Sequence, residues 1–238
     1  MQKLIAANRH KLDLDLRDSP RRPYFSATLL SQYRVTVPLI QKYAAGTLLD
    51  VGCGLMPYRS LIAGRVARYD SLDPHPQTAD VTYQQDVQAM TLIADATYDS
   101  AICLEVLEHV SNPFRAAAEL HRILKPNGVL VVSVPHLSRL HEEPYDFFRF
   151  TGYGLRALFE GAGFEVVHLA QRGGLFSFLG HQLSITAVGL TWSVPVVGKL
   201  VFFLNEWLCV RPAYFLDEHL DRAGKFSLGY TIVLRKKA

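Results

Sequence analysis

Thr47-Leu48-Leu49-Asp50-Val51-Gly52-Cys53-Gly54 is the stretch that decides how this chain folds. Its short apolar run is too brief for a helix and leads straight into two glycines. That pattern is a buried strand entering a tight turn. Gly52 and Gly54 let the backbone bend sharply and come close to a ligand, where any Cβ would intrude. A lone G-x-G serves a structural turn equally well, so its meaning depends on what surrounds it.

Outward from that turn, strands and helices alternate. Upstream, residues 1–23 read as an irregular basic leader closed by Pro20 and Pro23. Residues 24–45 carry Phe25, Leu29, Leu30, Tyr33, Val37 and Ile40 at helical spacing, with Pro38 expected to kink or break the helix. Downstream, 58–63 suits a helix stopped by Gly64, 66–72 a second strand, 81–85 a weak third and 98–104 a fourth. Asn112 and Pro113 supply an N-cap and a first-turn proline for a helix ended by Pro126-Asn127-Gly128. Residues 129–134, apolar and β-branched, form the next strand. Thr151 caps a helix over 154–160, and strands at 164–169 and 229–234 complete the series. This alternation predicts an α/β fold with a mostly parallel sheet covered on both faces. Right-handed crossovers then gather the strand C-terminal ends along one edge, where a ligand sits.

The acidic residues follow that geometry. Asp73 ends the second strand, about 20 residues beyond the glycines, where an acid grips ribose hydroxyls in nucleotide-binding folds. Asp86 follows the third strand and Glu105 the fourth. Each alone is an ordinary loop or capping residue; together they outline a nucleoside pocket. A nicotinamide fold needs a third glycine so that a helix N-terminus can approach the pyrophosphate. Met56 and Pro57 stand there instead, and no phosphate-gripping G-x-x-G-K occurs. A ligand with ribose and adenine but no phosphate fits better.

At these residues the chain resembles class I S-adenosylmethionine-dependent methyltransferases, the broad group that includes ubiquinone-biosynthesis and biotin-pathway enzymes. Asp50-Val-Gly-Cys-Gly54 resembles their first motif, Tyr98-Asp-Ser-Ala-Ile-Cys-Leu-Glu-Val-Leu-Glu-His-Val110 the fourth-strand motif, and Leu124-Lys-Pro-Asn-Gly-Val-Leu130 the turn before the fifth strand. The resemblance spans residues 46–170. It implies a Rossmann-like, doubly wound, seven-stranded sheet with an antiparallel last strand, preceded here by an apolar helical insertion. Residues 1–45 would be a leader and helix, and 46–238 the catalytic domain. It further implies that S-adenosylmethionine is held by Asp50, Gly52, Cys53 and Gly54 around its methionine portion. Asp73 and Pro74 would sit at the ribose, Asp86 and Val87 at the adenine, and Leu104 and Glu105 behind it. Met56 departs from the usual glycine. A smaller subset carries G-C-G-x-x-P-Y-R here, which this chain matches through Arg59.

On the acceptor side the candidate segment is 135–151, which leaves the fifth strand at the ligand edge. His136, His141, Tyr145, Asp146 and Arg149 are its candidate catalytic residues, with Asp146 and Arg149 also suited to a structural ion pair. His109, four residues after Glu105, reads as a structural histidine at the cofactor edge. A small molecule, a glycan or a lipid-linked molecule would take the methyl group, on oxygen. The alternatives are a non-catalytic methyltransferase-like binding protein, whose pocket Met56 or Tyr58 would fill, and a nicotinamide-dependent oxidoreductase.

The apolar insertion, 173–226, suits core packing, a homodimer contact, or a lid over a lipid-linked acceptor resting on a membrane surface. The net charge of +3, with basic residues scattered, is too mild to mark a nucleic-acid partner. Three cysteines far apart, with no C-x-x-C, predict no disulfide framework and no metal site, and a reducing cytoplasmic setting. The N-terminus lacks the apolar stretch of a signal peptide, and no uncharged 18-residue apolar run appears.

Overall fold

The computed structural model describes residues 2–221 and 225–238; Met1 and residues 222–224, the latter part of the expected insertion, lie outside the described residues. In chain order the helices are α1 (Gln2–Leu16), α2 (Ala27–Tyr43), α3 (Arg59–Ile62), α4 (Pro113–Ile123), α5 (Gly152–Gly161), α6 (Leu175–Thr191), α7 (Pro195–Asn205) and α8 (Arg211–Leu220). The strands are β1 (Thr47–Val51), β2 (Arg68–Leu72), β3 (Tyr98–Leu104), β4 (Leu124–Pro135), β5 (Phe164–Arg172) and β6 (Gly229–Lys236). They fall into two compact units, a division that does not follow the sequence boundary at residue 45. One comprises 36–171 with 229–238, the other 1–35 with 172–228.

The first unit is built on a sheet of order β2-β1-β3-β4-β6-β5. β1 pairs in parallel with β2 and β3, β3 with β4, and β6 runs antiparallel to β4, as the sequence implies. Leu49, Val51, Cys103, Val132 and Ile232 pack with Leu120 of α4 and Phe159 of α5 in one buried core. The expected caps are present: Asn112 Oδ1 accepts the Arg115 N–H at 3.1 Å and Thr151 Oγ1 accepts that of Gly154 at 3.0 Å. α2 runs through Pro38 without a break.

The sheet has six strands, not seven. Residues 81–85 reduce to a single bridge between Leu72 and Tyr83. Thr82 explains why: its hydroxyl accepts the Ser71 N–H at 3.1 Å, while the Ser71 hydroxyl accepts the Thr82 N–H at 3.1 Å. The Thr82 side chain has taken the Ser71 N–H, the donor that the next rung of the ladder would use. The 125–128 turn also sits inside β4, where the register jumps from Tyr98–Leu124 to Ser100–Val129.

The second unit is helical, and it corrects the leader. Residues 2–16 form α1, with Leu12 buried and Asn8 Nδ2 donating to the Gly189 carbonyl at 2.8 Å. A Cβ on Gly189 would stand 2.9 Å from Ile5, so α6 offers glycine where α1 lies closest. Phe25, Ile185, Val188 and Phe202 complete this smaller core. α6 starts without a side-chain cap of its own. Asp217 instead accepts the N–H groups of Gly174, Phe176 and Ser177 at 2.8–3.0 Å, and Asp221 that of Leu175.

Within the sheet unit, the hydroxyls of Thr36 and Thr231 are fully buried and bond to each other at 2.7 Å. Thr36→Val strands one hydroxyl and lowers unfolding stability by about 1–3 kcal/mol, whereas adding Thr231→Val restores most of it. Denaturant midpoints at constant m-value check both outcomes.

Candidate functional site

The chain leaves β1 through two left-handed glycines, Gly52 at φ 67° and Gly54 at φ 50°. The N–H groups of Gly52 and Cys53 both donate to the Leu72 carbonyl, at 2.7 and 3.2 Å, which fastens the turn to the end of β2. A Cβ on Gly52 would stand 2.3 Å from Val106 Cγ2, so that glycine is demanded by packing. Around Gly54 there is open space within 4 Å of where a Cβ would be. Asp73, next after β2, accepts the Gly54 N–H through Oδ2 at 2.9 Å and the His75 N–H through Oδ1 at 2.8 Å.

A cavity of about 500 Å³ opens beside this turn at the carboxyl ends of β1, β2 and β3. Gly52, Gly54, Asp73, Pro74, Asp86, Val87 and Glu105 line it, all named by the sequence. Four carboxylates, those of Asp73, Asp86, Glu105 and Glu142, face it, with no lysine or arginine among its lining. Such a wall favours a cationic or neutral ligand over a phosphate-bearing one. Glu105 is held at φ 55° with its N–H on the Ser133 carbonyl and its carboxylate on the Ser133 hydroxyl, each close to 2.9 Å.

Three expected cofactor residues lie outside the lining: Asp50, Cys53 and Leu104. Asp50 is buried beneath the turn and accepts the Tyr69 hydroxyl at 2.5 Å. Burial pushes its carboxyl up to about 7; the Tyr69 bond opposes that rise and Asp73 adds to it. Burial likewise pushes the Cys53 thiol up to about 12, leaving it an inert packing group. Met56 and Tyr58 are buried too, and neither lines the cavity.

The acceptor-side segment is tied down by two anchors. The carbonyl of Glu108, in the turn Leu107–His109, accepts the N–H groups of Phe147 and Phe148 at 2.8 and 3.2 Å. Arg149 grips Asp146 with two bonds of 2.6 and 2.7 Å and also donates to the Ser138 and Arg139 carbonyls. That guanidinium holds Asp146 well below the usual carboxylate range, so it stays ionised. Tyr145 reaches the cavity. His141 stands behind it, edge-on to His109 with ring centroids 4.8 Å apart, and His136 lies apart, against Tyr230.

Sequence reasoning ranked His109 as structural, yet it lines the cavity. Its Nδ1 lies 2.7 Å from the Tyr145 carbonyl. A carbonyl only accepts, so Nδ1 carries the hydrogen, and in the neutral ring Nε2 is the acceptor. Nε2 lies 3.6 Å from the buried Glu108 carboxylate and 3.8 Å from that of Glu142. Gln88, Val106, Glu142 and Phe147 are among the other lining residues that were not foreseen as site residues. Val106 and His109 were visible in the fourth-strand motif and Phe147 lay within the 135–151 candidate segment, whereas Gln88 carried no signal.

Over residues 32–169 the sequence matches the family described as a methyltransferase domain. The chain belongs to that family. The methyltransferase is 35% identical over 97 residues to a ubiquinone biosynthesis O-methyltransferase of Rickettsia prowazekii, covering 36% of this chain. It spans only 38% of that relative's length. Among solved structures, it resembles one from Haloferax volcanii of a methyltransferase with the Trm112 methyltransferase activator. The TM-score is 0.57, with 18% identity over 99% of this chain and 98% of that one. A SAM-dependent methyltransferase from Archaeoglobus fulgidus matches at TM-score 0.56, with 16% identity over 89% and 95% of the two chains. These likenesses show the fold of a class I S-adenosylmethionine-dependent methyltransferase.

Two outcomes follow from the turn. A raised folded-state carboxyl means that the native protein binds more protons than the unfolded chain between about pH 4 and 7. The stability contributed by Asp50 is therefore whole below pH 4 and is lost as pH rises through 7; Asp50→Asn flattens that slope in melts taken across the range. Gly52→Ala destabilises by more than about 2 kcal/mol because strain at positive φ adds to the Val106 clash. Val106→Ala in the same chain recovers part of the loss in denaturant titrations.

Proposed function

We propose that this methyltransferase moves a methyl group from S-adenosylmethionine to a hydroxyl oxygen of a small-molecule, glycan or lipid-linked acceptor. The supporting observation is the open cavity itself, with the glycine turn, Asp73 and Asp86 on one part of its wall and His109, Glu142 and Tyr145 on another. A binding protein without catalysis would have Met56 or Tyr58 in the methionine site, and both are packed elsewhere. The acid-lined, lysine-free wall disfavours a nicotinamide dinucleotide. The Rickettsia relative is named for O-methylation in ubiquinone biosynthesis, which supports a hydroxyl acceptor.

The residues present suit the cofactor. Each Asp73 oxygen uses one lone pair on a backbone N–H and keeps another for a ribose hydroxyl. Asp86, fixed by the Gln88 N–H at 2.8 Å, and Val87 meet the adenine. The bare side of Gly54 leaves room for the methionine portion, and the carboxylates favour its positive sulfonium. Asp50 supports the turn from below and does not touch the ligand. When bound, S-adenosylmethionine supplies an electrophilic methyl for in-line displacement.

The chain's own part is to align the acceptor, exclude water and hold a proton. His109 Nε2 takes the hydroxyl proton, and the nearby carboxylates of Glu108 and Glu142 stabilise the imidazolium that results. His141 packs against that ring, and Tyr145 closes the rim. Asp146 and Arg149 are positioning residues: they pin the segment, and neither carries the proton.

A second reading is favoured by one observation. Glu108, His109 and His141 bring one donor atom each to within 4.8 Å of one another, a set that suits a divalent cation activating the same hydroxyl. Nδ1 on a carbonyl orients His109 equally well for this role. Activity lost to a chelator and restored by a divalent ion selects this reading; indifference to the chelator selects His109 as base.

Isothermal titration with S-adenosylmethionine tests the cofactor assignment. Wild type binds, and Asp73→Ala weakens binding at least about tenfold; unchanged affinity removes Asp73 from the ribose. His109→Asn leaves cofactor affinity intact but lowers turnover by about 10²–10⁴. Release of S-adenosylhomocysteine against phenolic, sugar and lipid-linked hydroxyl acceptors measures that loss.

A further inference from the structure

The helical unit exposes apolar surface where helices of water-soluble proteins carry charge. Along α7 and the π-type turn Glu206–Val210 that continues it, Val196, Leu200, Phe203, Leu204, Trp207 and Leu208 are all exposed. Their spacing of four, three, one, three and one puts them on one stripe, while Phe202, Asn205 and Glu206 are buried. Val196 is 80% exposed and Leu208 74%, so the stripe is open from end to end. α6 repeats the pattern with exposed Leu179, Leu183 and Leu190. α6 has no Lys, Arg, Asp or Glu, and α7 has only Lys199.

What covers this surface is indicated by charge. The helical unit holds twelve Lys and Arg against seven Asp and Glu; the sheet unit holds thirteen against fifteen. The positive excess is thus confined to the unit with the apolar stripe. Five of its seven acids are occupied within the unit by cations or by the start of α6, and Asp15 accepts the Trp192 indole N–H. Asp13 pairs with Arg22, Asp18 with Arg17, and Glu206 with Arg21 and Arg211, while Asp217 and Asp221 cap α6. Lys11, Lys199 and Lys225 stand exposed, and none has an ion pair among the described residues. A second copy would add its own net positive charge to that of this unit, and would set one Lys199 beside another if the two stripes met. An anionic bilayer accepts both the stripe and the cations.

We propose that the helical unit docks on an anionic lipid membrane through the exposed stripe of α7 and the turn after it. The stripe lies along the boundary between headgroups and acyl chains, and Lys199 extends its stem over apolar surface to reach the phosphates. No helix among the described residues is long and apolar enough to cross a membrane, and α7 lies in the plane of the surface. This deepens the lipid-linked branch of the methyl-transfer reading by naming the surface on which such an acceptor is met.

The test uses the full chain with two sets of vesicles, pure phosphatidylcholine and phosphatidylcholine mixed with phosphatidylglycerol. Sedimentation is expected at least tenfold stronger with the anionic set and to weaken as salt is raised. In a Trp192→Phe background, Trp207 fluorescence shifts to the blue on binding. Leu200→Glu with Leu208→Glu, both at exposed positions, abolishes sedimentation while the melting curve and S-adenosylmethionine affinity stay as in wild type. Equal binding to both vesicle sets, or none to either, overturns the proposal. So does a dimer in solution that the double variant dissociates, since a second copy then covers the stripe. Sedimentation needs neither cofactor nor acceptor, so its failure is separable from failure of methyl transfer.

Discussion

The Leu72 carbonyl is the point on which the cofactor side of the molecule hangs. It accepts the N–H groups of Gly52 and Cys53, joining the exit of β1 to the end of β2. With that join made, Asp73 must lie beside the turn, and its carboxylate takes the Gly54 N–H. Parallel pairing then extends the same level across to β3, whose last residue precedes Glu105. The ligand edge is therefore a consequence of register. Two donors on one carbonyl hold it, and a chain without left-handed glycines could not make the bend.

Strain is concentrated around this edge. Met56, Glu105 and Glu142 all have φ between 53° and 55°, where side chains are disfavoured. Two of them are held there by neighbours: Met56 by the Cys53 carbonyl and burial, Glu105 by Ser133 on both its backbone and its carboxylate. Met56 adopts the left-handed conformation that a glycine would take freely, and its thioether packs under the turn within reach of Arg59. The departure from the usual glycine thus keeps the backbone path of the turn and fills space behind it.

The carboxylates divide according to their surroundings. Asp146 is fixed in its charged form by Arg149, and Asp50 is pushed toward its neutral form by burial. Asp73, Asp86, Glu105 and Glu142 face the cavity. Asp146 also holds the His141 N–H and Asp50 the Tyr69 hydroxyl, away from the cavity, while the other four shape the field a ligand meets. Histidines divide likewise. His136 rests on Tyr230, while His109 is oriented by a backbone carbonyl that leaves its other nitrogen open.

The order of strands, the glycine turn, the helix caps and the acids at strand ends were legible because each depends on a few neighbouring residues. Gly52, Asp73, Asn112 and Thr151 meet in the folded chain the partners their local patterns call for. Three matters were decided only by tertiary structure. Residues 81–85 have a strand pattern, but Ser71 and Thr82 exchanged hydroxyl bonds and left a single bridge. Residues 2–16 look irregular because their apolar positions keep no helical period; docking on α6, with Asn8 bonded 181 residues away at Gly189, makes them a helix. His109 becomes a cavity residue only when the 135–151 segment returns to place the Tyr145 carbonyl on its ring. Local chemistry is written in the sequence one residue at a time, whereas these three depend on partners that only folding brings within bonding distance.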